Sequence, residues 1–242
     1  MIPIFFRELS SFLNSLIGYL VVCVFLVAMG LLMWVFPDTS VLDYGYADME
    51  TLFTVGPYVF IFLVPAITMR SFAEEKKMGT LEVLLTKPLR DTDIVIGKFL
   101  ASWCLVGIAL VPTWVYYFSF SDLGNPPGNI DTPGVIGSFI GMILLGGVFC
   151  SVGILASSLT PNQIVSFIVA AFLSFMMYAG FDAAAGLIGD GDAALLVKQL
   201  GMLYHFESMG KGLIDSRDVI YFLSVGAVFL LGTKTVLASR SW

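Results

Sequence analysis

Runs of about twenty residues with almost no charge decide what this chain can become. They lie near residues 16–36, 52–69, 98–120, 135–159, 163–187 and 219–237. A helix needs roughly 20 apolar residues to cross a hydrocarbon layer about 30 Å thick. Inside that layer each backbone N–H and C=O must be bonded within its own segment, so runs of this length cross as helices. The sequence therefore predicts an all-α polytopic membrane protein, six transmembrane helices in one domain over residues 1–242. Composition agrees: 58% of the residues are hydrophobic and 12% charged, where soluble domains carry about 25% charged residues.

Breakers separate the spans: Pro37-Asp38, Pro88, Gly124-Asn125-Pro126-Pro127-Gly128, Thr160-Pro161-Asn162 and Gly189-Asp190-Gly191-Asp192. Thr160 is placed to cap the fifth span, with Pro161 at its first position. Asp218 is placed to cap the sixth. Arg7 and Glu8 sit in a mixed segment, and the run after it is longer than a signal-peptide core, so 16–36 reads as a span and not a cleaved leader. Before it, Phe5, Leu9, Phe12, Leu13 and Leu16 recur at helical spacing, which suits an interfacial helix lying on the bilayer; a frayed tail is the alternative.

Six spans put both termini on one side. That side and the 70–98 loop carry Arg7, Arg70, Lys76, Lys77, Lys87, Arg90, Lys98, Lys234 and Arg240. The opposite side has only Lys198, Lys211 and Arg217, all in the last loop. By the positive-inside rule the termini and the 70–98 loop are cytoplasmic, and the chain belongs in the inner membrane. The last external loop, 188–218, is long and only mildly polar. Leu195, Leu196, Leu200 and Leu203 suggest a short helix there, and Tyr204, His205 and Phe206 an aromatic belt, together a half-inserted outer hairpin.

The stretch EEKKMGTLEVLLTKP, residues 74–88, breaks the apolar monotony. Met78, Leu81, Leu84 and Leu85 fall on one helical face, Glu74 and Glu75 stand where a helix dipole favours anions, and Pro88 stops the pattern. The segment is too short to span, and its net charge is zero (Glu74, Glu75 and Glu82 against Lys76, Lys77 and Lys87). Anionic headgroups gain little from such a helix, so a groove in a cytoplasmic protein is the better place to bury its stripe.

The run EEKKMGTLEVLLTKPLRDTDIVIGKF resembles the first cytoplasmic loop of type-2 ATP-binding cassette (ABC-2) transporter permeases, through Glu74, Glu75, Gly79, Thr80, Leu81, Glu82, Leu84, Leu85, Pro88, Gly97 and Lys98. SSLTPNQIVSF (157–167) and HFESMGKGLIDSRDVIYFLS (205–224) resemble the same family, and the chain taken whole is most similar to its gliding-motility-associated branch. The resemblance implies that residues 74–85, including Lys76, Lys77 and Met78, form a coupling helix docked on a separate ABC-type ATPase subunit. It implies a second permease copy or related subunit, and in that branch a companion protein with a large periplasmic domain.

Other features are weaker. A P-loop needs GxxxxGK[ST], and Gly210-Lys211-Gly212 fails it, so ATP and Mg are expected only through the partner and this chain is not expected to be an enzyme. No metal spacing links Cys23, Cys104, Cys150 or His205, and nothing points to nucleic acid. Gly137 and Gly141 have GxxxG spacing, suited to packing within the subunit or to a dimer interface. Asp182 is either a functional intramembrane acid or a side chain reaching water near the span's end. The functions open to the chain are an ATP-driven permease subunit, a membrane anchor driving a periplasmic assembly, or an ion channel or secondary carrier. Scarce buried ionisable groups weigh against the last.

Overall fold

The computed structural model describes residues 1–37, 39–41, 48–81, 90–189 and 191–239, with the backbone alone for Ile17. Every regular element among them is helical: α1 (Ile2–Leu13), α2 (Leu16–Trp34), α3 (Glu50–Thr68), α4 (Ala73–Lys77), α5 (Asp91–Leu110), α6 (Trp114–Leu123), α7 (Thr132–Leu159), α8 (Gln163–Phe175), α9 (Phe181–Ile188), α10 (Asp192–Gln199), α11 (Met202–Gly210) and α12 (Ser216–Ala238). A 3₁₀ turn (Val111–Thr113) joins α5 to α6, and a π turn (Met176–Gly180) joins α8 to α9. Five stretches are long and apolar enough to cross a membrane: Glu50–Lys77, Asp91–Leu123, Thr132–Leu159, Gln163–Ile188 and Ser216–Ala238. A sixth is formed if α1 and α2, bent by 65° at their junction, count as one.

The third span begins at Asp91, ahead of the uncharged run that announces it. Asp91 and Asp93 occupy its first turn, where the dipole stabilises carboxylates, and Lys98 is buried within it. Two expected caps are displaced. Asn162, not Thr160, caps α8, its side-chain oxygen accepting from the N–H groups of Ile164 and Val165; Pro161 precedes the helix. Asp215, not Asp218, caps α12 through the Arg217 N–H, which frees Asp218 for a different bond.

Helix α7 is the spine. Its 28 residues reach about 42 Å at 1.5 Å each, longer than the hydrocarbon layer, so its ends project to headgroup depth. Uncharged throughout and rich in Gly and Ser, it packs against α3, α5, α8, α11 and α12. Its apolar window is 78% buried in the protein, against 17% for α12, which therefore lies at the periphery. Gly137 and Gly141 face α11: a Cβ on Gly137 would stand 2.2 Å from the Met209 carbonyl oxygen, and one on Gly141 would press on the Phe206 ring. These two glycines pack within the subunit.

Helix α1 docks more closely than an interfacial helix need. Ile4 is buried against Gly97 of α5, and Leu9 and Phe12 pack against the main core, while Ile2 and Phe6 stay exposed. Ile4, Phe72, Leu81, Ile94, Val95, Ile154 and Leu237 form a satellite core, which gathers α1, the segment after α3, the start of α5 and the ends of α7 and α12. The end of the bundle carrying Met1 is thus also the end carrying the charged segment.

Gly137→Ala should lower the thermal unfolding midpoint in detergent, overpacking typically costing about 1–3 kcal/mol. Gly107→Ala, where nothing lies within 4 Å of the added carbon, should leave the midpoint unchanged or higher. A thiol-reactive dye reads both, because Cys150 is fully buried.

Candidate functional site

The charged segment does not form one helix. Helix α4 stops at Lys77, Gly79 takes a left-handed φ of 67°, and helical conformation resumes at 80–81. That backbone suits glycine and few other residues. Leu81, expected on an outward stripe, is buried in the satellite core, whereas Met78 is 61% exposed. Glu82, Leu84 and Leu85 lie outside the described residues.

The segment is held by Lys98. This lysine sits on the inward face of α5 with its side chain 2% exposed. Its ammonium donates to Glu8 Oε1 (3.0 Å), Glu75 Oε1 (2.9 Å) and the Ser71 carbonyl (2.6 Å), one bond for each N–H. Its Nζ also lies 5.1 Å from the centre of the Phe72 ring. Arg7 adds a second cation, bonded to Glu8 at 2.6 Å and Glu75 at 3.1 Å. Partial burial works against the Arg7 charge, yet Glu8 and Glu75 hold its pKa above the ordinary value. Two cations and two carboxylates therefore tie α1, α4 and α5 together.

A second anchorage comes from α7. The Ser157 hydroxyl accepts from the backbone N–H groups of Phe72 (2.9 Å) and Ala73 (3.0 Å) and donates to the Met69 carbonyl (3.0 Å). It thereby bridges the break between α3 and α4. Next to it, the Lys76 ammonium donates to the Ser158 carbonyl. Beside Lys98 a cleft of about 350 Å³ opens, lined by Arg7, Glu8, Arg70, Glu74, Glu75 and Met78 among others. Glu74 and Lys77 complete the polar surface of α4.

Sequence reasoning singled out Glu74, Glu75, Lys76, Lys77, Met78, Gly79, Thr80 and Leu81, and the structure brings them beside Lys98, Ser157 and Ser158. The anchoring roles of Lys98 and the two serines were not foreseen, although all three lie within the runs that carry the family resemblance. Glu8 carried no signal beyond its place in a mixed N-terminal segment. At the opposite end, the lone histidine has a partner after all: His205 Nδ1 lies 2.7 Å from Asp218 Oδ1, its Nε2 2.9 Å from the Gln199 carbonyl, and its ring stacks on Tyr221. This joins the hairpin α10–α11 to α12. Asp182 is 47% exposed and pairs with Lys198 at 3.3 Å, a surface pair worth about 0–1 kcal/mol. Among the described residues no three His, Cys, Asp or Glu side chains are grouped to hold a metal ion.

These features define a multi-pass helical membrane protein whose one strongly charged segment is bolted to several spans at the terminal end of the bundle. The chain belongs to the ABC-2 family of transporter proteins, whose family model matches residues 8–239. Among curated proteins no individual match is found. Members of the family are non-catalytic membrane subunits that generally work with an ABC ATPase subunit.

Lys98→Met should lower the unfolding midpoint, since it removes the buried cation of the cluster and leaves Glu8 and Glu75 with Arg7 alone. Combined with Glu75→Gln, it should cost less than the sum of the two single changes, because both remove the same interaction. Thermal unfolding in detergent, followed by Cys150 reactivity, measures both.

Proposed function

We propose that this permease subunit receives the movement of its ATPase through the surface around α4 and passes it into the bundle through Lys98 and Ser157. The observation that carries the reading is the division of labour within residues 70–81. Glu75, Lys76 and Leu81 are committed inward, while Met78 and the outer side of α4 remain free for a partner. In this reading the termini and the 70–98 segment are cytoplasmic, the membrane is the bacterial inner membrane, and the unpartnered apolar faces of α8 and α12 meet lipid or a second permease half. ATP and Mg act in the partner. ATP binding clamps two ATPase subunits and displaces residues 74–85, and the bonds to α1, α5 and α7 carry the displacement into the spans.

A role in gliding motility or an associated secretion rests on the resemblance of the chain as a whole to that branch. A companion with a large periplasmic domain would belong to the same assignment. If the complex moves no solute and instead drives a periplasmic assembly, the input stage is the same and the output passes through the far end of the bundle. Flux assays in vesicles distinguish the two outputs.

The input stage is tested at Met78. Because Leu81 is an internal residue, replacing it would damage folding and docking alike. Met78→Asp should leave the unfolding midpoint unchanged but reduce copurification with the cognate ATPase by about tenfold or more, as loss of an interface anchor does. Unchanged recovery together with unchanged ATP turnover would exclude this surface as the docking site.

A further inference from the structure

At the end of the bundle opposite Lys98, a cavity of about 490 Å³ opens between α3, α7, the π turn and α11. Its inner wall is aromatic: Phe53, Tyr178 and Phe206 are buried there, with Tyr58 at the side. Its rim is acidic: among the described residues Asp48, Glu50, Asp131 and Glu207 face one cation, Lys211. Two of these carboxylates have helix-terminal work, Asp131 capping α7 and Asp48 accepting from the Glu50 N–H. Glu50 and Glu207 form no ion pair among the described residues. Glu207 stands in the middle of α11, where no helix dipole accounts for it.

Tyr178 provides the second and independent observation. It is 1% exposed, yet it lines this cavity and its hydroxyl has no hydrogen-bond partner among the described residues. The ring is fixed edge-on by Tyr58 (5.4 Å, 88°) and Phe206 (6.5 Å, 63°), which line the same space. The hydroxyl is therefore available to whatever occupies the cavity. The residue comes from the π turn Met176–Gly180, a conformation rare in general and frequent at functional sites. A phenol free of protein partners among the described residues, an aromatic wall and an excess of carboxylate thus converge on one space of ligand size.

We propose that this cavity is a binding site for an organic ammonium ion with an apolar body. The aromatic faces attract such a cation through their quadrupoles and bury its hydrocarbon. The rim carboxylates compensate its charge, and the Tyr178 hydroxyl fixes its orientation. The same rim repels phosphate, which excludes anionic lipid headgroups, and a bare metal ion would find no grouped ligands among the described residues. The site is formed by this chain alone, so it stands or falls separately from the ATPase-docking surface.

The test uses the purified full chain in nanodiscs of zwitterionic lipid, with rhodamine 6G as the cationic probe and fluorescein as an anionic relative of similar ring system. Fluorescence anisotropy should show saturable rhodamine binding, absent from protein-free nanodiscs, and at least about tenfold weaker binding of fluorescein. Glu50→Gln with Glu207→Gln, both at exposed positions, should weaken rhodamine by about tenfold or more, and Tyr178→Phe by about 2- to 10-fold. Lys211→Gln should tighten it. Binding no different from empty nanodiscs, equal binding of the two dyes, or indifference to both the double variant and Tyr178→Phe would each overturn the proposal.

Discussion

A lysine ammonium withdrawn from water must be given back three hydrogen bonds and a counter-charge, and much of this structure follows from how Lys98 obtains them. Removing an ion from water costs several kcal/mol even after the protein relaxes. The compensation comes from three separate pieces of chain: Glu8 on α1, the Ser71 carbonyl after α3, and Glu75 on α4. None of these can leave without exposing a buried charge imbalance. Electrostatics here ties α1, α4 and α5 to one another, which is what the proposed coupling role requires.

The two ends of the bundle are built on different principles. At the terminal end, charge is concentrated and paired around Lys98, and a small apolar core beneath it gathers α1, α5, α7 and α12. At the far end, charge is left unpaired around an aromatic hollow, and the backbone departs from regular α geometry at Met176–Gly180. Helix α7 runs between them and touches both, with Ser157 near one end and Gly137 near the other. Its small residues let its neighbours approach closely, so few of their contacts are cushioned by flexible side chains.

The span pattern is legible because lipid imposes it directly: uncharged length becomes helix, and the observed limits of α2, α3, α7, α12 and of α8 continued through the π turn into α9 fall within a few residues of the runs. Where charge is buried, that rule misleads. Lys98 and the acids before it appear to end the third span, yet α5 continues through them because its dipole and Glu8 accept them. The amphipathic pattern of 74–88 correctly marked a special segment, but periodicity is blind to Gly79, whose positive φ splits it and turns Leu81 inward. The two cap displacements differ in kind: Asn162 lies beyond the proline of the breaker, whereas Asp215 lies ahead of Asp218, which is already in the first turn of α12. Long-range partners such as Glu8 with Lys98, or His205 with Asp218, leave no local pattern. They exist only once the chain has folded.

The Ser157 bridge ties the break between α3 and α4 to the end of α7. Its hydroxyl grips the chain on both sides of the break, at Met69 before it and at Phe72 and Ala73 after it. If α4 receives a load as proposed, these bonds give it a second route besides the axis of α3, crosswise into the end of α7, a helix about 42 Å long, and a tilt of that central helix is the response the proposal calls for.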